Sequence, residues 1–214
     1  MRFVAVIWCL LLFNSILFAA HPLATDDAGT VDVAKHEMEV GYDNSKVGND
    51  LRNISSGLSL KQGLTERMDI GVSFPYQMDP TQDERFGEAV LGVKFALVKD
   101  VFALTFSNEL GEKEYLINGI YTKEFSKAVV HFNLGYSATG DPTIKGAAVY
   151  SSAFEIPVNK FDLIGEVAGD TNDNNTWLLG ARYRITENIV VDAGYGRSFN
   201  TSDDKTILGF HCEF

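Results

Sequence analysis

Cysteine, proline and histidine are scarce in this chain, which has 2, 5 and 4 of them among 214 residues. Cys9 lies in the first 20 residues, which we expect to be removed on export, so only Cys212 would remain. A disulfide within the mature chain is then excluded. An exported protein without disulfides needs a large core, a metal or a surrounding membrane to hold it together.

Basic stretches and long apolar runs are also missing after residue 20. The formal net charge is −11, and the loss of Arg2 with the first 20 residues brings it to −12. This charge gives no support for binding nucleic acid, and we predict no nucleic-acid partner. Without a second long apolar run, any crossing of a membrane must be made by strands.

The first 20 residues, MRFVAVIWCLLLFNSILFAA, have the layout of a secretory signal peptide. A basic residue precedes a short apolar run, and two small residues, Ala19 and Ala20, end it. This layout predicts a signal peptide over 1–20, cleaved within a residue or two of Ala20. An uncleaved membrane anchor is the alternative, and it is disfavoured because a spanning helix needs about 20 apolar residues and no cleavage site.

Bulky and small or polar residues alternate along the rest of the chain. In 68–76, MDIGVSFPY, every second residue from Met68 to Tyr76 is large and apolar. This period of two is typical of strands. Twelve segments show it, near 36–44, 52–62, 67–77, 86–98, 101–109, 113–124, 127–138, 146–156, 160–169, 175–185, 188–199 and 204–214.

The length of these segments and of their connections indicates a membrane barrel. Most segments have about ten residues, as a tilted strand needs to cross a bilayer, and short connections alternate with longer polar ones. We predict an all-β, antiparallel, up-and-down transmembrane β-barrel of about 12 strands over 36–214. Residues 21–35 would form an N-terminal periplasmic segment at its mouth. The alternative is a soluble β-sandwich or barrel, which would need the bulky face inside and a polar face outside.

The last segment ends on an aromatic residue. Phe214 falls on the same face as Leu208 and Phe210, and we expect all three to point at lipid. A carboxy-terminal aromatic resembles the signal by which bacterial outer-membrane barrels are recognised for insertion. This resemblance implies contact with the barrel-assembly machinery, and the fold implies outer-membrane lipids and lipopolysaccharide as surroundings.

Motifs in the first third of the mature chain add a family resemblance. HPLATDDAGT (21–30), HEMEVGYD (36–43) and GLTERMDIGVSFPY (63–76) are similar to outer-membrane proteins grouped under the name of the phenol-degradation meta-pathway. The resemblance implies a transporter-like barrel in the outer membrane of a Gram-negative bacterium. Its solutes would be small, including aromatic or other small organic compounds.

Charged residues mark the face that we expect to line the lumen. The candidates for a constriction are Glu39, Lys61, Lys94, Asp162, Glu166, Arg182, Arg184 and Asp192. One interpretation is a ladder of internal salt bridges, with Arg182 opposite Asp192. The other is a charged constriction that orders permeating solutes, and both can hold together. Acids outnumber bases, which predicts a preference for cations.

The function that these patterns favour is a channel for passive passage of small solutes, and a structural or surface-interaction barrel with a closed lumen is the alternative. An outer-membrane phospholipase would need a serine and a histidine on the lipid-facing wall. His131 and His211 point inward by alternation, while His21 and His36 precede or begin the first strand. We therefore predict no enzymatic activity, no catalytic residue, no cofactor and no metal.

Overall fold

The computed structural model describes residues 21–47, 51–80, 85–141 and 143–214. The predicted signal peptide lies outside the described residues. The strands are β1 (His36–Val47), β2 (Leu51–Thr65), β3 (Met68–Asp79), β4 (Val90–Val98), β5 (Phe102–Glu109), β6 (Tyr115–Phe125), β7 (Ala128–Ala138), β8 (Ala147–Val158), β9 (Phe161–Asp170), β10 (Thr176–Arg184), β11 (Ile189–Ser198) and β12 (Asp204–Glu213).

These twelve strands form one closed barrel. Each strand pairs antiparallel with the next, and β1 pairs with β12, with Gly41 opposite Gly209 and Glu39 opposite His211. Closure leaves no strand edge unpaired, which is the condition for a sheet to stand in lipid. The predicted fold class and strand number are confirmed.

The largest difference from the predicted strand bounds is at the start of β4. β4 starts at Val90, whereas the alternation suggested a strand from about residue 86. Residues 85–87 still pair with the end of β3, since Gln77 donates to the Arg85 carbonyl and Gly87 donates to the Pro75 carbonyl. Pro75 has no N–H to offer the ladder, so regular pairing between β3 and β4 stops at Ser73.

The outer face of the barrel is apolar. In β4, Leu91 and Phe95 are 40% and 45% exposed. Lys94 and Ala96, on either side of Phe95, point inward and are buried. The same alternation runs along β11, where Tyr195 is exposed and Asp192 is buried. An apolar belt of this extent on the outside needs lipid around it. No helix among the residues that the structure describes is long and apolar enough to cross a membrane.

The first described residues of the chain lie inside the barrel. Residues 21–35, here called the N-terminal segment, pass along the inner wall and reach β1 through a short bridge between Val33 and Gly63. Gly63 has no side chain because the backbone carbonyls of Val31 and Asp32 occupy the place where a Cβ would be. The segment expected at the mouth therefore also enters the lumen.

Candidate functional site: the barrel lumen

The N-terminal segment is anchored first by His21. Its ring Nδ1 lies 2.9 Å from the Asp192 carboxylate of β11, and its backbone carbonyl accepts a hydrogen bond of 3.2 Å from Nε of Arg182. The ring fits because Gly41 and Gly209 face each other across β1 and β12. A Cβ on Gly41 would stand 2.7 Å from Nε2 of His21. Two paired glycines thus make room for the ring.

A second anchor is formed by Leu23 and Thr25. Leu23 packs into an apolar cluster on the inner wall with Ala153, Ile164, Leu178 and Ile207. The backbone N–H and the hydroxyl of Thr25 both donate to Oε2 of Glu166, at 2.6 and 2.7 Å. Glu166 is buried, so these two bonds supply polar partners that water would otherwise provide.

Asp26 is held from two sides. Its carboxylate accepts a hydrogen bond of 2.8 Å from Nζ of Lys94 in β4. Its backbone exchanges two bonds with the side-chain amide of Asn133 in β7, at 2.9 and 2.8 Å. The Asp26–Lys94 ion pair is almost fully buried, so removing either partner would leave an uncompensated charge.

Further contacts carry the segment around the wall. The Ala28 N–H donates to the Thr122 hydroxyl in β6 at 2.9 Å, and the Val31 N–H donates to the Asp69 carboxylate in β3 at 3.0 Å. Through these contacts, and through the bridge of Val33 to Gly63, the segment meets β11, β10, β9, β7, β6, β4, β3 and β2. It is fixed to the wall by polar groups distributed around the lumen.

The wall has its own ion pairs. Nζ of Lys61 lies 2.6 Å from Glu37 and 3.7 Å from Glu39. Arg184 of β10 pairs with Asp162 of β9. Each of these bases has an acid beside it, which favours a ladder of internal salt bridges as at least one role of the charges.

The partner predicted for Arg182 needs correction. The strand register places Arg182 directly opposite Asp192, as predicted. Arg182 nevertheless forms its ion pair with Glu155 of β8, and Asp192 binds His21. The reason is the N-terminal segment, which brings a histidine to Asp192 that the strand pattern alone does not place there.

The candidate residues form one connected lining with the N-terminal segment. Glu39, Lys61, Lys94, Glu166 and Asp192 are buried in the lumen, and Asp162, Arg182 and Arg184 are partly exposed there. Lys94 and Glu166 bind the segment itself. Their role as a constriction for solutes stays a prediction.

Sequence reasoning missed the apolar part of the lumen. Leu178 points inward, where it is only 1% exposed and packs with Leu23. A second inner cluster joins Ala28 with Ala103 and Ile120. Two features of the sequence could have indicated these clusters. Leu178 is an apolar residue on a face that is otherwise small or charged, and Leu23 is an apolar residue in a polar segment.

Space remains at the end of the barrel where β1 begins and β12 ends. A cavity of about 340 Å³ lies there between the N-terminal segment and the wall. Its lining includes Asp27, Glu37, Lys61, Asp69, Lys94 and Glu213. It is large enough for several waters or a small solute.

An apolar exterior around a charged interior defines a transmembrane β-barrel. Solved structures share this architecture. The KdgM porin in complex with disordered oligogalacturonate aligns with a TM-score of 0.62 and 8% identity, covering 83% of this chain and 99% of the porin. The COG4313 outer membrane channel from Pseudomonas putida F1 aligns with a TM-score of 0.59 and 13% identity, covering 88% and 98%.

A third neighbour, the outer membrane protein Omp33 from Acinetobacter baumannii, has a TM-score of 0.53 and 10% identity, covering 84% of this chain and 99% of its own. These likenesses concern the fold. No family model matches the sequence, and no curated protein matches it either.

Proposed function

We propose that this protein is an outer-membrane channel for the passive passage of small solutes. The observation that carries the proposal is the barrel's division into an apolar exterior and a charged interior with a cavity of about 340 Å³. Lipid would cover the exterior, and a hydrated solute would meet charged groups inside. Lipopolysaccharide, outer-membrane lipids and the barrel-assembly machinery are the partners that such a location implies.

The charge of the lumen favours cations and neutral molecules. The cavity is lined by six acids, Asp27, Asp32, Glu37, Glu39, Asp69 and Glu213, against the two bases Lys61 and Lys94. A narrow passage with low-dielectric walls strengthens the field of such an excess. The anionic oligosaccharide in the KdgM complex is thus a poor guide to the solute here. The phenol meta-pathway resemblance adds small aromatic or other organic compounds as candidates.

A closed barrel is the second candidate. The N-terminal segment supports it, because hydrogen bonds and ion pairs fix residues 21–31 to strands around the lumen. In that case the barrel would serve as a structural or surface-interaction protein. The two candidates differ in whether ions pass while the segment is docked.

Planar-bilayer recording under a salt gradient separates them. We expect the purified protein to conduct weakly with a cation-selective reversal potential, and a variant lacking residues 22–31 to conduct more. A silent intact protein with a conducting deletion variant would favour the closed barrel. If both proteins are silent although folded, the channel proposal fails. An anion-selective reversal potential would show that the arginines control the passage.

We also infer that the barrel is not an enzyme. The histidines His21, His131 and His211 lie in the lumen, bonded to Asp192, Thr122 and Glu39. The ring of His36 packs against Phe214 with centroids 5.5 Å apart. Release of fatty acid from phospholipid vesicles by the purified protein would contradict this inference.

A further inference from the structure

Four inward side chains meet where β1 pairs with β12. The register places Glu39 opposite His211 and Glu37 opposite Glu213. Directly paired residues have neighbouring Cβ atoms, and residues two apart on a strand share a face. The motifs Glu-x-Glu and His-x-Glu therefore form one group, here called the Glu/His cluster (Glu37, Glu39, His211 and Glu213).

The donor atoms of this cluster are close together. Nδ1 of His211 lies 3.4 Å from Oε1 of Glu39, and its Nε2 lies 3.9 Å from Oε1 of Glu213. One donor atom each from Glu37, Glu39 and His211 all fall within 4.8 Å of one another. Around a tetrahedral ion with bonds of about 2.0–2.2 Å, donor atoms stand roughly 3.3–3.6 Å apart. Small side-chain rotations would bring the three into that range.

Charge in the cluster is unbalanced. Three carboxylates face one permanent cation, Lys61, whose Nζ contacts Glu37 and Glu39. The Glu37, Glu39 and Lys61 side chains are only 13%, 9% and 8% exposed. Carboxylates withdrawn from water need a compensating charge, and Lys61 supplies half or less of it. Glu213, whose side chain is 44% exposed, adds a third negative charge, so the cluster keeps a net negative charge that favours a bound cation.

An ion has a route to the cluster. All four members line the cavity of about 340 Å³ beside the N-terminal segment. A hydrated metal can therefore approach the donors and keep water in a remaining coordination position. No strand has to separate to admit it.

We propose that Glu37, Glu39 and His211 form a binding site for a divalent transition metal, with Zn²⁺ as the best match. One imidazole with two carboxylates suits zinc and its first-row neighbours, whereas Mg²⁺ and Ca²⁺ prefer oxygen donors alone. Glu213 lies close enough to His211 to orient its ring from the other nitrogen. Sequence reasoning assigned no metal because the two motifs lie some 170 residues apart and meet only on closure of the barrel.

The test is calorimetric titration of Zn²⁺ into tag-free protein in detergent. We expect one site per chain, with affinity weakened by at least about tenfold in Glu39→Gln and in His211→Gln, since a direct ligand should matter at least as much as its supporting partners. His36→Gln is the matched control. It removes an imidazole next to Glu37 in sequence, but that ring packs against Phe214. Heat-modifiable migration on gels verifies that each variant is folded.

Two further measurements strengthen the test. Lys61→Gln removes the competing cation, so it should bind Zn²⁺ more tightly than the intact protein does. Co²⁺ in place of Zn²⁺ should give visible absorption bands that His211→Gln alters. The proposal is overturned if the intact protein binds no Zn²⁺, if His211→Gln binds it equally well, or if His36→Gln loses it. Each of these outcomes would leave the cluster as a set of cross-strand salt bridges.

Discussion

His21 and Asp192 lie 171 positions apart in the chain, and their side chains meet at 2.9 Å in the lumen. Gly41 and Gly209 make this contact possible, because any side chain at either position would enter the space of the imidazole. The pair ties the start of the described chain to the inner wall. Any variant that disturbs it should therefore act on the N-terminal segment before it acts on the barrel.

Gly41→Ala should loosen the N-terminal segment. The added Cβ would stand 2.7 Å from Nε2 of His21, so the ring must move away from Asp192. We expect a higher single-channel conductance in planar bilayers. Gly57→Ala is the matched control, because Gly57 pairs directly with Gly41 and its Cβ would meet only the Phe74 carbonyl at 3.9 Å. Equal conductance of the two variants would mean that His21 does not hold the segment.

Leu178→Ala should destabilise the protein from the inside. The side chain is buried against Leu23 and Ile164, so its truncation leaves a cavity, and losses of about 2–5 kcal/mol are usual for such a change. Leu179→Ala is the control on the opposite face, where the side chain meets lipid. Denaturant unfolding in lipid vesicles measures both. If both variants lose the same free energy of unfolding, packing in the inner cluster stabilises the barrel no more than contact with lipid does.

Leu179→Arg should also destabilise the barrel, because it places a charged side chain against lipid. Leu179 is 57% exposed on the outer face. An arginine there costs about 2–4 kcal/mol if the position lies near the bilayer midplane, and less near the interfaces. Its neighbour Leu178 is 1% exposed, so the two side chains lie on opposite faces of the wall. Leu178→Arg on the inner face would also displace Leu23, so only Leu179→Arg isolates the cost of lipid exposure. An unchanged stability of that variant in vesicles would place the position outside the hydrocarbon region.

Arg182→Ala should change both stability and selectivity. It leaves Glu155 with only the His131 ring beside it, 3.5 Å away, and removes a bond to the His21 carbonyl. Breaking a buried pair costs about 3–5 kcal/mol, and we expect about 3 here because Glu155 stays one-fifth exposed. The reversal potential should shift toward stronger cation preference. Arg197→Ala, at an exposed position in β11, should leave both properties unchanged.

Phe214 should matter for assembly. Its backbone exchanges two hydrogen bonds with His36, at 2.8 and 2.9 Å, and its ring packs on the His36 ring. Phe214→Asp should lower the amount of heat-modifiable barrel in the outer membrane, because it loses a lipid-facing aromatic at the seam of β1 and β12. Phe214→Tyr keeps the aromatic and should assemble normally. Normal yield of Phe214→Asp would show that the terminal aromatic is dispensable.

The strand pattern could be predicted from the sequence because it is local. Residues such as Leu178 and Leu179 must face opposite sides of a sheet, so composition at alternate positions reveals which face meets lipid. The number of strands follows from the same period. The predicted start of β4 was the furthest off, since the missing N–H of Pro75 acts on a neighbouring strand and leaves no mark in the pattern of residues 86–89.

The alternation of side chains predicts a barrel of about twelve strands with an apolar outside and charges inside, because it depends only on neighbouring residues. The partners of those charges depend on how the whole chain folds. Asp192 binds His21, Lys94 binds Asp26, and Glu39 lies beside His211, in each case across a long stretch of chain. Such pairs depend on closure of the barrel and on the path of a segment without strand periodicity, and no local pattern encodes either.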